Sequence, residues 1–316
     1  IKANAASKTT FEGGKRVEDG TWKGWTWNVF GSSTDVTKAF ATDTGNGGVT
    51  LEVTGDKGKI NGSASDQGLN TFLYELDKSY DFTITAQAKV DTLAANAQAA
   101  FGLTIRDNVG AHGNTAKLTA DKNNFAFVGG YGNQAASGHG NAGYKTTALA
   151  HTRLGESPEV GGTYDLAIQK VGDSVKLYFN GEVAAECSAD DLITDNAMYV
   201  GLFAARNAKV TFNNVKLAYT QDSSSVKVTT NVTAPKKTTY CAGNTYEDVD
   251  LTGFKATVSV DGKEREITAS DCVVDMSNDP FAEVTDAGKL NLLYLGQTIE
   301  VPITVIKEVV SDMYIE

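Results

Sequence analysis

The chain has 316 residues, 28 of them Lys or Arg and 39 Asp or Glu, for a formal net charge of −11, and its 32 glycines far outnumber its 4 prolines. A hydrophobic content of 41% is enough to build a core, so composition excludes a disordered chain, and the length suits two domains better than one. The acidic balance without a basic block argues against nucleic acid as a partner, and no apolar run approaches the ~20 residues of a membrane span.

Residues 1–220 read as one domain. The chain opens at Ile1 with no signal peptide, as a mature or excised piece would. Trp25, Trp27 and Val29 alternate onto one side of a predicted strand, and Trp22 falls out of that register. Apolar Phe82, Ile84, Ala86, Ala88 and Val90 alternate with Thr83, Thr85, Gln87 and Lys89, the pattern of a strand with one buried face, and Phe101, Leu103 and Ile105 repeat it. Ala94 to Ala100 is the only helix candidate. From Asp107 to Gly162 the chain is rich in Gly, Asn, His and Ser with few strand signals, and reads as a long loop insertion of the kind that carries function on a rigid scaffold. Tyr164–Lys170 and Ser174–Phe179 flank a hairpin turn, Asn180-Gly181 marks the next turn, and Val210–Phe212 and Val215–Leu217 close the domain. About a dozen short strands predict two packed sheets, a jelly-roll β-sandwich. Residues 221–225 form a polar linker. Residues 226–308, with strands at Phe254–Val260 and Glu300–Ile306 and a hairpin on Asp261-Gly262, predict a smaller immunoglobulin-like β-sandwich. The fold class is all-β. Residues 309–316 parallel the opening of that second domain at Ser225, and read as the start of a further truncated repeat or a linker.

The three cysteines, Cys187, Cys241 and Cys272, make no CxxC or Cys/His cluster, which argues against structural zinc. Cys241 and Cys272 share the second domain, where they can pair as a disulfide or stay as two buried thiols. Glu75-Leu-Asp77 places two carboxylates on one strand face, but Lys78-Ser-Tyr80 follows where sandwich-fold glycosidases carry a third. No GxSxG, HExxH or phosphate-binding loop is present, so no residue is assigned a catalytic role. His112, His139 and His151 fit no metal-ligand spacing and read as loop histidines.

Two resemblances add to this reading. Pro235-Lys-Lys-Thr-Thr-Tyr240, Gly243, Leu251-Thr-Gly-Phe254 and Asp261-Gly262 resemble the bacterial Ig-like repeats of surface proteins and glycan-active enzymes, which implies a spacer without catalysis. Cys241 stands where those repeats have a plain strand residue. Trp27-Asn-Val-Phe-Gly-Ser-Ser33, Gly58-Lys-Ile60, Asp66-Gln-Gly-Leu69, Phe72-Leu-Tyr74, Asp81–Ala86, Phe101–Asp107, Val200–Asn207 and Val210–Val215 resemble, over most of the first domain, a concanavalin-like module. Such modules occur beside β-helical pectate lyases and other polysaccharide-acting enzymes of Gram-positive bacteria. Where that module has Asp-Gly, this chain has Asp66-Gln-Gly.

The resemblance implies a non-catalytic carbohydrate-binding or accessory module, extracellular, joined to neighbouring domains of the same polypeptide. Arg106 and Arg206 can offer guanidinium forks to sugar hydroxyls or a uronate, if the sheets bring them to one surface; otherwise they serve local turns and ion pairs. Tyr131 and Tyr144, set among glycines, and Trp22, expected to be exposed, are the aromatic candidates for stacking on a polysaccharide or oligosaccharide. Trp25 and Trp27 suit a core as well as a platform. Gln87, on the polar face of its strand, completes the glycan-binding set. A structural Ca²⁺ is expected by the same resemblance, with Glu12, Asp43 and Asn46 in the nearest oxygen-rich spots. Two alternatives remain: modules that only stabilise or space a catalytic domain, and an adhesin for a host protein.

Overall fold

In the computed structural model, residues 9–60, 67–95, 98–131, 140–145, 149–152, 158–229 and 232–308 are described. The chain divides into two units, Ile1–Gln221 and Asp222–Glu316.

The first unit runs β1 (Thr9–Thr10), β2 (Trp25–Phe30), β3 (Ala39–Gly45), β4 (Gly48–Val53), β5 (Leu69–Asp77), β6 (Asp81–Leu93) and β7 (Ala100–Arg106). It continues with β8 (Phe125–Tyr131), β9 (Gly140–Lys145), β10 (Leu149–Thr152), β11 (Thr163–Val171), β12 (Ser174–Phe179) and β13 (Glu182–Ser188). A four-residue helix, Ala189–Leu192, then leads into β14 (Ala197–Ala205) and β15 (Ala208–Thr220). Two antiparallel sheets result: eight strands in the order β1-β3-β4-β15-β6-β11-β12-β13, and seven in the order β10-β9-β8-β7-β14-β5-β2. The inner faces carry the alternation read in the sequence. Phe82, Ile84, Ala86, Ala88 and Val90 of β6 are buried in one cluster with Phe101, Leu103 and Ile105 of β7. A period of two sends the intervening residues of each strand to the outer faces.

The stretch expected to be a strand-poor insertion holds β8, β9 and β10, which extend the seven-stranded sheet. Its glycines hid them. Gly102 of β7 pairs directly with Gly129 of β8, and a Cβ on Gly102 would run into the Val128 carbonyl, so glycine is what lets these two backbones approach. The helix candidate ends in strand, since Ala100 opens β7. Asn180 (φ 49°) and Gly181 (φ 80°) form the left-handed two-residue turn expected of that dipeptide.

The second unit comprises β16 (Lys227–Val228), β17 (Thr239–Cys241), β18 (Lys255–Val260), β19 (Lys263–Thr268), β20 (Val273–Asp275), β21 (Thr285–Tyr294) and β22 (Gln297–Ile306). They form a three-stranded sheet, β16-β18-β19, and a four-stranded sheet, β17-β22-β21-β20. Tyr240, Phe254, Val258, Phe281, Leu292 and Val301 are among its buried apolar residues. The disulfide considered for Cys241 and Cys272 is not formed, and both thiols are free. Cys241 ends β17 and Cys272 immediately precedes β20, the opposite edges of one sheet. Three strand spacings, about 14 Å, separate those edges, against a Cα limit of about 7 Å for a disulfide.

Candidate functional site

The outer face of the seven-stranded sheet is closed at one end and open at the other. Phe30, Ile60, Leu69, Ala100, Phe125, Phe127, Phe203 and Ala205 form a second small core there, with Val109, Leu118 and Tyr131 packed against it. The chain after β7 roofs this end by binding the edge strand: Asn28 Nδ2 donates to the Gly110 carbonyl, Gly113 N to Val29 O at 2.7 Å, and Gly31 N to Asn114 O at 3.0 Å. His112 belongs to that roof. Its Nδ1 accepts from Val29 N at 3.1 Å and its ring lies edge-on to Trp27, so it is a structural rather than a solvated loop histidine.

Arg106 lies under the roof with no exposed surface, which corrects the expectation that it meets solvent. Its Nη2 donates to Gln67 Oε1 at 2.8 Å and Asn123 Oδ1 at 2.6 Å, and Nε donates to Asn108 O at 3.3 Å. Its Cζ stands 5.5 Å from the Phe30 ring and 5.0 Å from the Phe125 ring. Burial lowers its pKa to about 10, opposed by neighbouring Asp107. Burial in turn raises the Asp107 carboxyl above its ordinary value, against hydrogen bonds from Asn124 and Thr194 and the charge of Arg106.

The open end is a cleft of about 600 Å³ lined by Arg16, Thr26, Asn28, Leu73, Glu75, Asp77, Asn196, Ala197 and Tyr199. Strand pairing explains its composition. Tyr199 of β14 sits opposite Glu75 of β5, Asp77 follows Glu75 on the same face, and an isolated bridge from Arg16 to Thr26 widens the face past β2. Glu75, Asp77 and Arg16 are exposed and Tyr199 is half-buried. Burial, reinforced by Glu75 and Asp195, raises the Tyr199 pKa, so the phenol stays neutral and can both donate and accept. The Ser79 backbone N–H and hydroxyl hold Asp77 below its ordinary pKa, so it keeps its charge and is a poor proton donor. The cleft thus offers a row of hydrogen-bonding groups, a neutral aromatic and one guanidinium.

The remaining expected site residues do not converge on it. Trp22 is 5% exposed and packs edge-on against Trp25 and Phe72, contrary to the exposure expected of it. Arg206 (φ 48°) and Asn207 (φ 42°) make the left-handed turn between β14 and β15, where Arg206 Nε donates to Gly58 O at 3.0 Å, the local turn role. Tyr131 ends β8 at the rim of the second core, 5.8 Å from the Phe127 ring, where burial raises its pKa. Gln87 is exposed on the outer face of the other sheet, its Oε1 accepting from Asn214 Nδ2 at 3.4 Å. Tyr144 and His151 lie in β9 and β10, with side chains outside the described set, and His139 lies outside the described residues. Of the calcium candidates, Glu12 pairs with Lys15 at 2.6 Å, Asp43 accepts from Gly45 N at 2.8 Å, and Asn46 (φ 52°) is in the turn after β3. Among the described residues no three His, Cys, Asp or Glu gather as a metal site. Sequence reasoning named neither Arg16 nor Tyr199; the alternation of β14 against β5 is the signal that could have found Tyr199.

No family model matches the chain. Over 282 residues, 88% of the chain, it is 29% identical to a protein named pectate lyase L from Thermoclostridium stercorarium. The chain spans 21% of that relative's length. Among solved structures, carbohydrate-binding module CBM66 from Bacillus subtilis matches with a TM-score of 0.36 at 17% identity, over 61% of this chain and 94% of that one. Lectin UEA-II, solved with galactose, matches with a TM-score of 0.39 at 11% identity, over 68% and 99%. The likeness to these structures is one of fold.

Proposed function

We propose that the first unit holds carbohydrate without cutting it, in the cleft bounded by Arg16, Glu75, Asp77 and Tyr199. The second unit is then an Ig-like spacer within a larger extracellular, glycan-acting polypeptide. The observation that carries this reading is the row Glu75, Asp77 and Tyr199 on one exposed sheet face. Two carboxylates spaced by one residue accept from neighbouring sugar hydroxyls, Arg16 donates, and the half-buried phenol supplies an apolar ring with a polar tip. Proton-transfer chemistry finds less support, since Asp77 is held in its charged form and the raised carboxyl, Asp107, sits under the roof. The named pectate lyase relative supports a place beside polysaccharide-acting domains. Affinity per site is modest because water competes for each hydrogen bond, and tethering to an enzyme raises its working concentration on the polymer.

Affinity electrophoresis on arabinan, galactan, xylan, β-glucan and polygalacturonate tests the reading. With two carboxylates against one guanidinium in the cleft, neutral polymers should retard the chain more than polygalacturonate. Glu75→Gln should weaken that retardation roughly tenfold, the loss of about 1.4 kcal/mol, and Tyr199→Ala should remove the cleft's share of it. Unchanged retardation of both variants, or none of the parent on any polymer, would overturn it.

A further inference from the structure

The opposite sheet carries a feature that this cleft leaves unexplained. Phe40 of β3 is 43% exposed, and no other Phe or Trp among the described residues is so open to solvent. It stands in a row with Glu52 of β4 and Lys209 of β15 on the outer face of the eight-stranded sheet. The next row is Thr42, Thr50 and Thr211. Beside Phe40 these side chains line a groove of about 370 Å³, closed by Asp91 of β6.

Asp91 reaches the groove through a break in pairing. On β6, Val90 pairs with Val210 and Thr92 with Lys209, so Asp91 is left unpaired between them in a bulge. A bulge of this kind re-aims one side chain, and is over-represented next to working sites. The carboxylate then orders its neighbours. Thr211 Oγ1 donates to Asp91 Oδ2 at 2.7 Å, and it lies 3.0 Å from Thr50 Oγ1. Because the Thr211 proton is committed to Asp91, Thr50 must be the donor in the second bond. Both hydroxyls therefore present lone pairs to an incoming donor. Lys209 is drawn to Glu52 at 3.8 Å, which leaves the groove acidic in balance.

We infer that this groove is a second carbohydrate site, in which Phe40 stacks on the C–H face of a neutral sugar while Thr50, Thr211 and Asp91 accept from its hydroxyls. An exposed aromatic beside a row of ordered acceptors suits a ring with one apolar face and a hydroxylated rim. The acidic balance disfavours uronates and phosphorylated ligands. Cleft and groove lie on the outer faces of two packed sheets, so one straight polymer segment cannot fill both. The unit would instead bridge two polymer chains.

The test is isothermal titration of the whole chain with arabinohexaose, xylohexaose and cellohexaose, beside Phe40→Ala, Phe40→Trp and Thr211→Val. Phe40 is exposed, so its replacement should leave the melting temperature unchanged, and that is checked first. The inference expects two oligosaccharides per chain, one per chain in Phe40→Ala, a roughly two- to tenfold weaker groove site in Thr211→Val, and retention in Phe40→Trp. Tyr199→Ala should remove the other site and leave this one. If Phe40→Ala binds as the parent does while Tyr199→Ala abolishes binding, the groove is refuted and the cleft stands. If Tyr199→Ala is silent and Phe40→Ala abolishes binding, the cleft falls and the groove stands. Absence of binding of all three sugars at millimolar protein overturns both.

Discussion

Tyr199 of β14 pairs directly with Arg106 of β7, yet the phenol borders an open cleft while the guanidinium has no exposed surface. One sheet row therefore passes from a ligand-facing side chain to a buried hub within a single strand spacing. The change is made by the chain after β7, which folds back over Phe30 and Phe125 and closes on the β2 edge.

Arg106 is thus expected to set stability rather than to touch ligand. Arg106→Ala strips the donor from two buried amide oxygens, those of Gln67 and Asn123, and leaves a void between two rings. Losing these two buried hydrogen bonds from a charged donor costs about 1.5–3 kcal/mol each, so urea unfolding of the first unit should shift by about 3 kcal/mol or more. Arg106→Lys should recover less than half, because one ammonium cannot reproduce a planar fork between two acceptors and two rings. Faster amide exchange over residues 108–124 should accompany the loss. An unchanged midpoint for Arg106→Ala would show that the roof holds without it.

The alternation of Phe82 to Val90 was enough to read β6 and its buried face, and Asn180-Gly181 was enough to read a turn, because both signals are local. What covers a face is not local. Arg106 sits on the polar side of its strand, as alternation says, but only the return of the chain through Val109 and Leu118 buries it. Strands β8 to β10 were missed because Gly129 and Gly130 cut short the apolar run of β8, Gly140 and Gly143 dilute β9, and β10 is only four residues long. The fate of Cys241 and Cys272 depends on the strand order of their sheet, which neither spacing nor composition encodes. The cleft escaped for a related reason: Arg16 and Tyr199 are far apart in sequence and meet only through β2 and β5.

A second hub is Lys170 of β11, whose side chain is 4% exposed and lies 3.7 Å from Asp81. Its Nζ donates to Tyr80 O at 2.8 Å, and Asp81 Oδ1 also accepts from Gly172 N at 2.8 Å. Burial lowers the Lys170 pKa, opposed by Asp81. Asp81→Ala leaves a buried ammonium without its counter-charge and should cost about 3–5 kcal/mol. Asp81→Ala with Lys170→Met should recover most of that loss, since a well-packed apolar pair is often as stable as a buried ion pair. A double-mutant cycle in urea measures the coupling. Additive single losses would show that the pair is not coupled.

Acid should destabilise the first unit through its turn aspartates. The Thr37 hydroxyl and N–H hold Asp35 below the ordinary value of 3.8. Asp173 is held down by the Asp190 N–H and the Ser188 hydroxyl. A carboxylate with a depressed folded pKa contributes stability that is complete above its unfolded pKa and is lost as pH falls through the folded one. Followed through the melting temperature, the stability these aspartates carry should therefore be complete above about pH 5 and be lost below about pH 4. It adds to an earlier loss that begins below pH 6.5, as the half-buried His112 imidazole is charged and its Nδ1 stops accepting from Val29 N. Asp173→Asn should begin lower at neutral pH and lose less on acidification. Parallel curves for parent and variant between about pH 2 and pH 5 would remove Asp173 from this account.

The free thiols bear on the proposed extracellular location, where exposed thiols are liable to oxidise. Burial is the first reason they should not. It pushes Cys187 up to about 12, helped by Glu186, Asp173 and Asp191, and pushes Cys272 up to about 12, helped by Asp271. The Cys272 thiol also donates to the Thr268 carbonyl at 3.6 Å. Only the thiolate attacks, and with a pKa near 12 its fraction at pH 8 is about one in ten thousand. In the native protein Cys187 and Cys272 should therefore resist iodoacetamide over hours, while urea exposes all three cysteines to quantitative alkylation. Peptide mapping without reductant should recover Cys241 and Cys272 on separate, unlinked peptides. A linked pair would require β17 and β20 to leave the opposite edges of their sheet, so its detection would overturn the strand order as well as the thiol assignment.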